Sequence, residues 1–87
     1  MHHTGVLREL IIIKDVSVSE LAKRLKKYSH AVILHSLQAK DTSFENLIEI
    51  LDEMDYELVI RRKREGYLPD GEYALRHADY ENWEAQQ

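Results

Sequence analysis

The sequence predicts a mainly α fold of four to five helices, followed by a C-terminal β-strand or hairpin. Serines at positions 17, 29 and 43 each precede a helix-like segment, where a hydroxyl oxygen can accept the first free backbone N–H groups. Apolar residues recur every three or four positions up to Met54, which is typical of amphipathic helices. After Asp55 the pattern changes to alternation, which indicates a strand.

The first two helices are predicted before residue 27. One spans residues 6–14, and the next begins at Ser17 and runs to about Leu25. Ser17 and Glu20 fit a capping box, in which each side chain accepts a hydrogen bond from the backbone N–H of the other residue. The predicted buried residues are Val6, Leu7, Leu10 and Ile11 in the first helix, and Leu21, Ala22 and Leu25 in the second.

The third helix is predicted over residues 29–38, with Ser29 as its cap. At about 100° per residue, Ile33, Ser36 and Leu37 fall on one side. If Ile33 and Leu37 are the buried anchors, the outward face consists of Ala31, Leu34, His35 and Gln38.

The fourth helix begins at Ser43 and completes a first domain of residues 1–55. Residues 56–77 are predicted to form a β-hairpin, because Tyr56, Leu58 and Ile60 alternate with Glu57, Val59 and Arg61. The sequence Pro69-Asp70-Gly71 is typical of a turn. Residues 78–87 form an acidic tail that we expect to be flexible, although Trp83 can fold back. The predicted apolar stripe of the fourth helix is Phe44, Leu47, Ile48, Leu51 and Met54.

A second fold class explains the β-branched runs directly. It takes "LIIIKD", "HAVILHSL" and "YELVIRRK" as three strands and the segments between them as helices, which gives a βαβαβ α/β fold. Both fold classes are compatible with the composition.

Composition excludes several kinds of site. Without cysteine, the chain has neither disulfides nor thiolate metal ligands. His30 and His35 are five positions apart, so they do not share a helix face as metal-binding pairs do. We therefore predict no enzyme activity, no cofactor and no metal. The apolar runs are too short to span a membrane, and a cytoplasmic location is the expectation. Met1-His2-His3 is assigned no function.

Charge is divided unevenly along the chain. Residues 1–40 carry a net charge of +4 and residues 41–87 a net charge of −8. Such asymmetry indicates a basic working surface, and a solvated helix surface of mixed charge is the alternative.

Three stretches resemble, in order, the lambda-repressor/Cro-like helix-turn-helix family in its short prophage-type form. They are "VSVSELAKRL", "SHAVILHSLQAKDTSFENL" and "LIEILDEMDYELVIRRK", and the likeness covers about residues 6–63. The chain departs from the family where Lys26 or Lys27 replaces the glycine of the turn. The resemblance implies a sequence-specific DNA-binding transcriptional regulator, a repressor of prophage or mobile-element type. Helix 29–38 would read the major groove of an operator in double-stranded DNA, and residues 56–77 would join a homodimer.

The outward face of the third helix contains side chains that can contact bases. Gln38 can bond adenine, His35 guanine or a phosphate, and Ala31 or Leu34 a thymine methyl group. Nearby basic residues can neutralise phosphates. The predicted DNA-binding set is Lys23, Arg24, Lys26, Lys27, Ser29, His30, Ala31, Leu34, His35, Gln38 and Lys40.

A protein-binding role is the alternative function. In this interpretation the helix-turn-helix fold is an interaction module, of an antirepressor or antitoxin-like kind, that uses an apolar surface formed by Ile12, Ile13 and Leu34.

Overall fold

The computed structural model describes residues 1–26 and 29–83, and these residues form helices without any strand. The elements are α1 (His3–Lys14), α2 (Val18–Leu25), α3 (His30–Gln38), α4 (Phe44–Glu53) and a short α5 (His77–Glu81). The predicted mainly helical fold is confirmed. The βαβαβ alternative is wrong, because "LIIIKD" lies largely in α1 and "HAVILHSL" lies in α3.

Serine caps fix the beginnings of α2, α3 and α4, as the sequence predicts. Ser17 Oγ accepts a hydrogen bond from the Glu20 N–H at 3.0 Å, and Glu20 Oε1 accepts one from the Ser17 N–H at 3.3 Å. Ser29 Oγ and Ser43 Oγ cap α3 and α4 in the same way, by accepting hydrogen bonds from the N–H groups of Val32 and Asn46. Each such cap stabilises its helix by about 1 kcal/mol.

Helices α1 to α4 enclose one hydrophobic core. α3 packs against α1, α2 and α4, and α2 also packs against α4. In α4 the predicted apolar stripe was partly wrong: Ile50 is buried, whereas Ile48 and Phe44 are exposed. The buried apolar residues are Val6, Leu7, Leu10, Leu21, Ile33, Leu37, Leu47, Ile50, Leu51 and Met54.

α1 begins earlier than the sequence predicts, because His2 acts as its N-cap. His2 Nδ1 accepts a hydrogen bond from the Thr4 N–H at 3.2 Å, which leaves Nε2–H to donate to the Lys40 carbonyl at 2.9 Å. Both His2 and His3 are buried. The N-terminal histidines, to which the sequence assigned no function, are therefore part of the packed structure.

The acidic end of the chain packs on the N-terminus rather than extending freely. α5 places Tyr80 against His3, and Trp83 stacks on His2 with a ring-centroid distance of 4.8 Å. The expected return of Trp83 is confirmed. The rest of the predicted tail, residues 84–87, lies outside the described residues.

The predicted hairpin of residues 56–77 is not formed within the described chain. Its turn is present, since the Glu72 N–H bonds the Pro69 carbonyl at 3.2 Å and Gly71 has φ of 84°. The flanking segments, residues 56–64 (the first arm) and 72–76 (the second arm), share no backbone hydrogen bonds. Side chains bridge them instead, and neither segment forms a strand within the described residues.

Candidate nucleic-acid interface

The orientation of α3 matches the helical projection of its sequence. Ile33 and Ser36 are fully buried and Leu37 is 5% exposed, so this side of the helix faces the core. We call the opposite side the α3 face. It consists of Ala31, Leu34, His35 and Gln38, and all four residues are exposed.

Contacts from other segments hold α3 in this orientation. The Arg8 Nε–H of α1 donates to the Leu37 carbonyl at 3.1 Å, which satisfies one of the free carbonyls at the end of α3. Ser36 Oγ contacts the Val32 carbonyl at 3.3 Å and the Thr42 hydroxyl at 3.1 Å. The α3 face is therefore presented by a helix anchored along its buried side and at its C-terminal end.

The turn that leads into α3 contains backbone strain. Lys26 follows α2 with φ of 58° and ψ of −45°, and its N–H bonds the Ala22 carbonyl at 3.1 Å. Positive φ is unfavourable for residues other than glycine. Glycine adopts positive φ without this cost, so Lys26 combines a backbone conformation that favours glycine with an added cation. Lys27, also in the predicted DNA-binding set, lies outside the described residues.

Exposed cations precede and follow α3 in the chain, and we call this group the basic rim. Lys23 and Arg24 lie in the last turn of α2, Lys26 follows them, and Lys40 lies just beyond α3. Arg24 is also 3.6 Å from Glu20 in an exposed ion pair, which contributes little stability and leaves its guanidinium accessible. The Lys40 backbone is held by His2, while its side chain is exposed.

The remaining members of the predicted DNA-binding set, Ser29 and His30, lie at the start of α3. Ser29 is exposed, although its hydroxyl is engaged in capping α3, and His30 is exposed beside it. Within the described residues no group of three histidine or acidic side chains is placed to hold a metal ion.

Exposed apolar side chains also occur on α3 and at the start of α4. Val32 and Leu34 are each 36% exposed, and Phe44, at the start of α4, is 78% exposed. The sequence predicts that Phe44 lies in the buried stripe of α4. The exposure of Phe44 was missed because its spacing fits the buried stripe of α4 as well as Ile50 does.

Among the described residues, no helix has both the length and the apolar character needed to cross a lipid bilayer. Comparisons of the chain with protein-family models, with curated proteins and with solved structures found no match.

Proposed function

We propose that the protein is a sequence-specific DNA-binding transcriptional regulator that inserts α3 into the major groove. The observation that carries this proposal is the orientation of α3: Ile33 and Leu37 face the core, and Gln38 and His35 face outward. A helix presented by a packed scaffold, with polar side chains outward, has the dimensions that the major groove accepts.

The two groups of residues have different roles in this proposal. The basic rim neutralises phosphates and sets the position of the protein on the duplex without reading sequence. Gln38 supplies the most specific contact, a paired hydrogen bond to adenine, while Ala31 and Leu34 meet thymine methyl groups. The chain carries a net charge of −4, so binding depends on this local surface rather than on the overall charge.

Regulation follows from occupancy of an operator. The helix-turn-helix resemblance supports a repressor of prophage or mobile-element type that binds as a homodimer. Two copies would place two α3 helices in successive major grooves about 34–36 Å apart, which multiplies affinity and specificity.

A selection from randomised DNA tests the proposal without knowledge of the operator. The protein is incubated with a pool of double-stranded oligonucleotides, bound duplexes are recovered over several rounds, and the enriched sequences are read. We expect an inverted repeat with half-site centres about 10–10.5 base pairs apart. Asn82→Ala, at an exposed position beyond α5, is the control and should enrich the same sequence. Failure of the unchanged protein to enrich any sequence would contradict the proposal.

A protein-binding role is supported by one observation of its own. Ile12 and Ile13, at the end of α1, are 78% and 56% exposed, and Leu34 of α3 is 36% exposed. Large exposed apolar side chains are typical of protein interaction sites when they form a patch. Affinity capture from a nuclease-treated lysate, with the Ile12→Ser/Ile13→Ser variant as the comparison, tests this role. The protein-binding role is favoured if a protein is captured by the unchanged chain but not by the variant, and if the DNA selection enriches no sequence.

A further inference from the structure

The first arm has the sequence of a strand but not the pairing of one. Residues 57–63 make no backbone-to-backbone hydrogen bond with any described residue. Leu58, Val59 and Ile60 are 39%, 68% and 101% exposed. Unpaired backbone groups beside exposed apolar side chains form a template for another strand.

A groove of about 720 Å³ separates the two arms and reaches the hydrophobic core. Leu10, Leu47 and Leu51 line it from the helical side. Arginines span it from arm to arm: Arg64 contacts Glu72 at 3.1 Å, and Arg76 Nη2 donates to the Arg64 carbonyl at 3.0 Å. The arms thus face each other across a space where neighbouring strands of a hairpin would be bonded directly.

We propose that this groove receives the first arm of a second copy of the chain, and that the two first arms pair antiparallel about a two-fold axis through Val59. By symmetry, each first arm then lies between the first arm and the second arm of the other copy. The resulting sheet has four strands in the order second arm, first arm, first arm, second arm. Sheets of three or more strands with an apolar face are stable where a lone two-stranded ribbon is marginal.

The register follows from charge together with the placement of the apolar side chains. In an antiparallel pair, residues directly opposite each other point to the same face of the sheet. A two-fold axis normal to the sheet therefore passes between the two copies of one residue. Centred on Val59, Glu57, the one acid of the first arm, lies opposite Arg61. Opposite charges in such pairs stabilise a sheet, and like charges destabilise it.

The neighbouring registers pair these residues less well. Centring on Leu58 leaves Glu57 opposite Val59, and centring on Ile60 pairs Glu57 with Lys63 but places Leu58 opposite Arg62. Among these three, only the register through Val59 pairs Glu57 with a base and the two apolar residues with each other. On the other face it places Leu58 opposite Ile60, the residues needed to cover the core side chains that line the groove.

This inference deepens the homodimer of the proposed function but does not depend on DNA binding, so it is tested without DNA. The chain has no cysteine, and single cysteines therefore report proximity without background. Residues directly opposite in antiparallel strands have Cα atoms about 4.5–5.5 Å apart, within the range that a disulfide spans. Val59→Cys should therefore form a disulfide-linked dimer rapidly under mild oxidation.

Leu58→Cys, Ile60→Cys and Tyr67→Cys complete the experiment. Leu58→Cys and Ile60→Cys should each form disulfide-linked dimers slowly alone but readily when mixed, since residue 58 lies opposite residue 60 of the other copy. Tyr67 is 91% exposed in the loop between the arms and serves as the control for random collision. Linkage at Val59 no faster than at Tyr67, or a mixture of the first two that links no faster than each alone, would overturn the proposal.

Charge exchange supplies a second measurement that does not involve cysteine. Glu57→Arg and Arg61→Glu should each lower the dimer affinity at least tenfold in sedimentation equilibrium, because like charges then lie opposite. An equimolar mixture of the two variants should recover it as a heterodimer. If the affinity fell only because the contact between Arg61 and Glu72 within one chain was broken, mixing the two variants would not restore it. A mixture that stays monomeric would overturn the register.

Discussion

His3 and Tyr80 are joined by two hydrogen bonds although 77 positions separate them in the sequence. The His3 backbone N–H donates to the Tyr80 hydroxyl oxygen at 3.0 Å, and the same hydroxyl lies 2.7 Å from His3 Nδ1. Since the oxygen accepts from the backbone, its hydrogen is available to Nδ1, which favours the neutral imidazole. This contact connects the beginning of α1 to α5.

Tyr80→Phe should lower the free energy of unfolding by about 1–3 kcal/mol. The change leaves two buried polar groups of His3 without the hydroxyl, and the cost of an unsatisfied buried group is of this size. Urea denaturation followed by circular dichroism measures it. Tyr67→Phe, at an exposed position in the loop between the arms, is the matched control and should leave the midpoint unchanged. Equal midpoints for Tyr80→Phe and the unchanged protein would show that the contact contributes nothing.

Stability should fall as the pH is lowered from about 6.5 to 4. Burial, with a smaller effect from His2, lowers the pKa of His3 to about 4. An unfolded histidine has a pKa of about 6.5, so in this window the unfolded chain binds more protons than the folded chain and is favoured by acid. Over the whole window, this difference in proton binding lowers the free energy of unfolding by about 3 kcal/mol.

NMR titration of the imidazole protons tests the pH prediction directly. The His3 resonance should remain that of the neutral ring through pH 5, because burial lowers its pKa to about 4. Carboxylates also titrate in this window, so His3→Gln is compared by denaturation and should show a flatter pH dependence. A His3 that titrates with a pKa near the ordinary value of about 6.5 would contradict the burial argument.

Lys26→Gly should stabilise the fold. The φ of 58° at Lys26 is unfavourable for a side chain. Relief of that strain, about 1–3 kcal/mol, exceeds the entropic cost of glycine, about 0.5–1 kcal/mol, so a net gain of about 1 kcal/mol is expected. Thermal unfolding measures the gain. Lys26→Gln keeps the Cβ atom and therefore the strain, and should unfold at the original temperature. A lower midpoint for the glycine variant would mean that the turn is not strained.

Lys26→Gln should weaken binding to every duplex. Loss of one phosphate contact reduces the steepness of log K against log salt concentration by about 0.9. Fluorescence anisotropy at several salt concentrations measures the slope for a selected duplex and for an unrelated one. Lys14→Gln removes an exposed lysine from the end of α1 and is the charge-matched control. An unchanged slope for Lys26→Gln would exclude a phosphate contact.

Local signals predicted much of the fold. Ser17, Ser29 and Ser43 marked three helix starts, because a hydroxyl cap acts on N–H groups within three residues. The buried side of α3 was also predictable, since Ile33 and Leu37 fix the rotation of a helix with few other inward candidates. The capping role of His2 was missed because histidine is not among the usual cap residues, and its partners include Lys40, 38 positions away.

Long-range pairing was the part that the sequence did not determine. The alternation of Tyr56, Leu58 and Ile60 specifies which side chains share a face but not which strand lies alongside. A hairpin was the nearest partner available within one chain. In the described residues the arms remain separate, which is the reason for placing their partner in a second copy.

The measurement that tests the central claim most directly is the base preference of Gln38→Ala. Its affinity is compared with that of the unchanged protein on a selected duplex and on duplexes with each base pair of a half-site replaced. We predict a loss of about 1–3 kcal/mol on the selected duplex and relaxed preference at a single position, normally adenine. Equal weakening on all duplexes, or no weakening on any, would contradict the claim that the α3 face reads DNA.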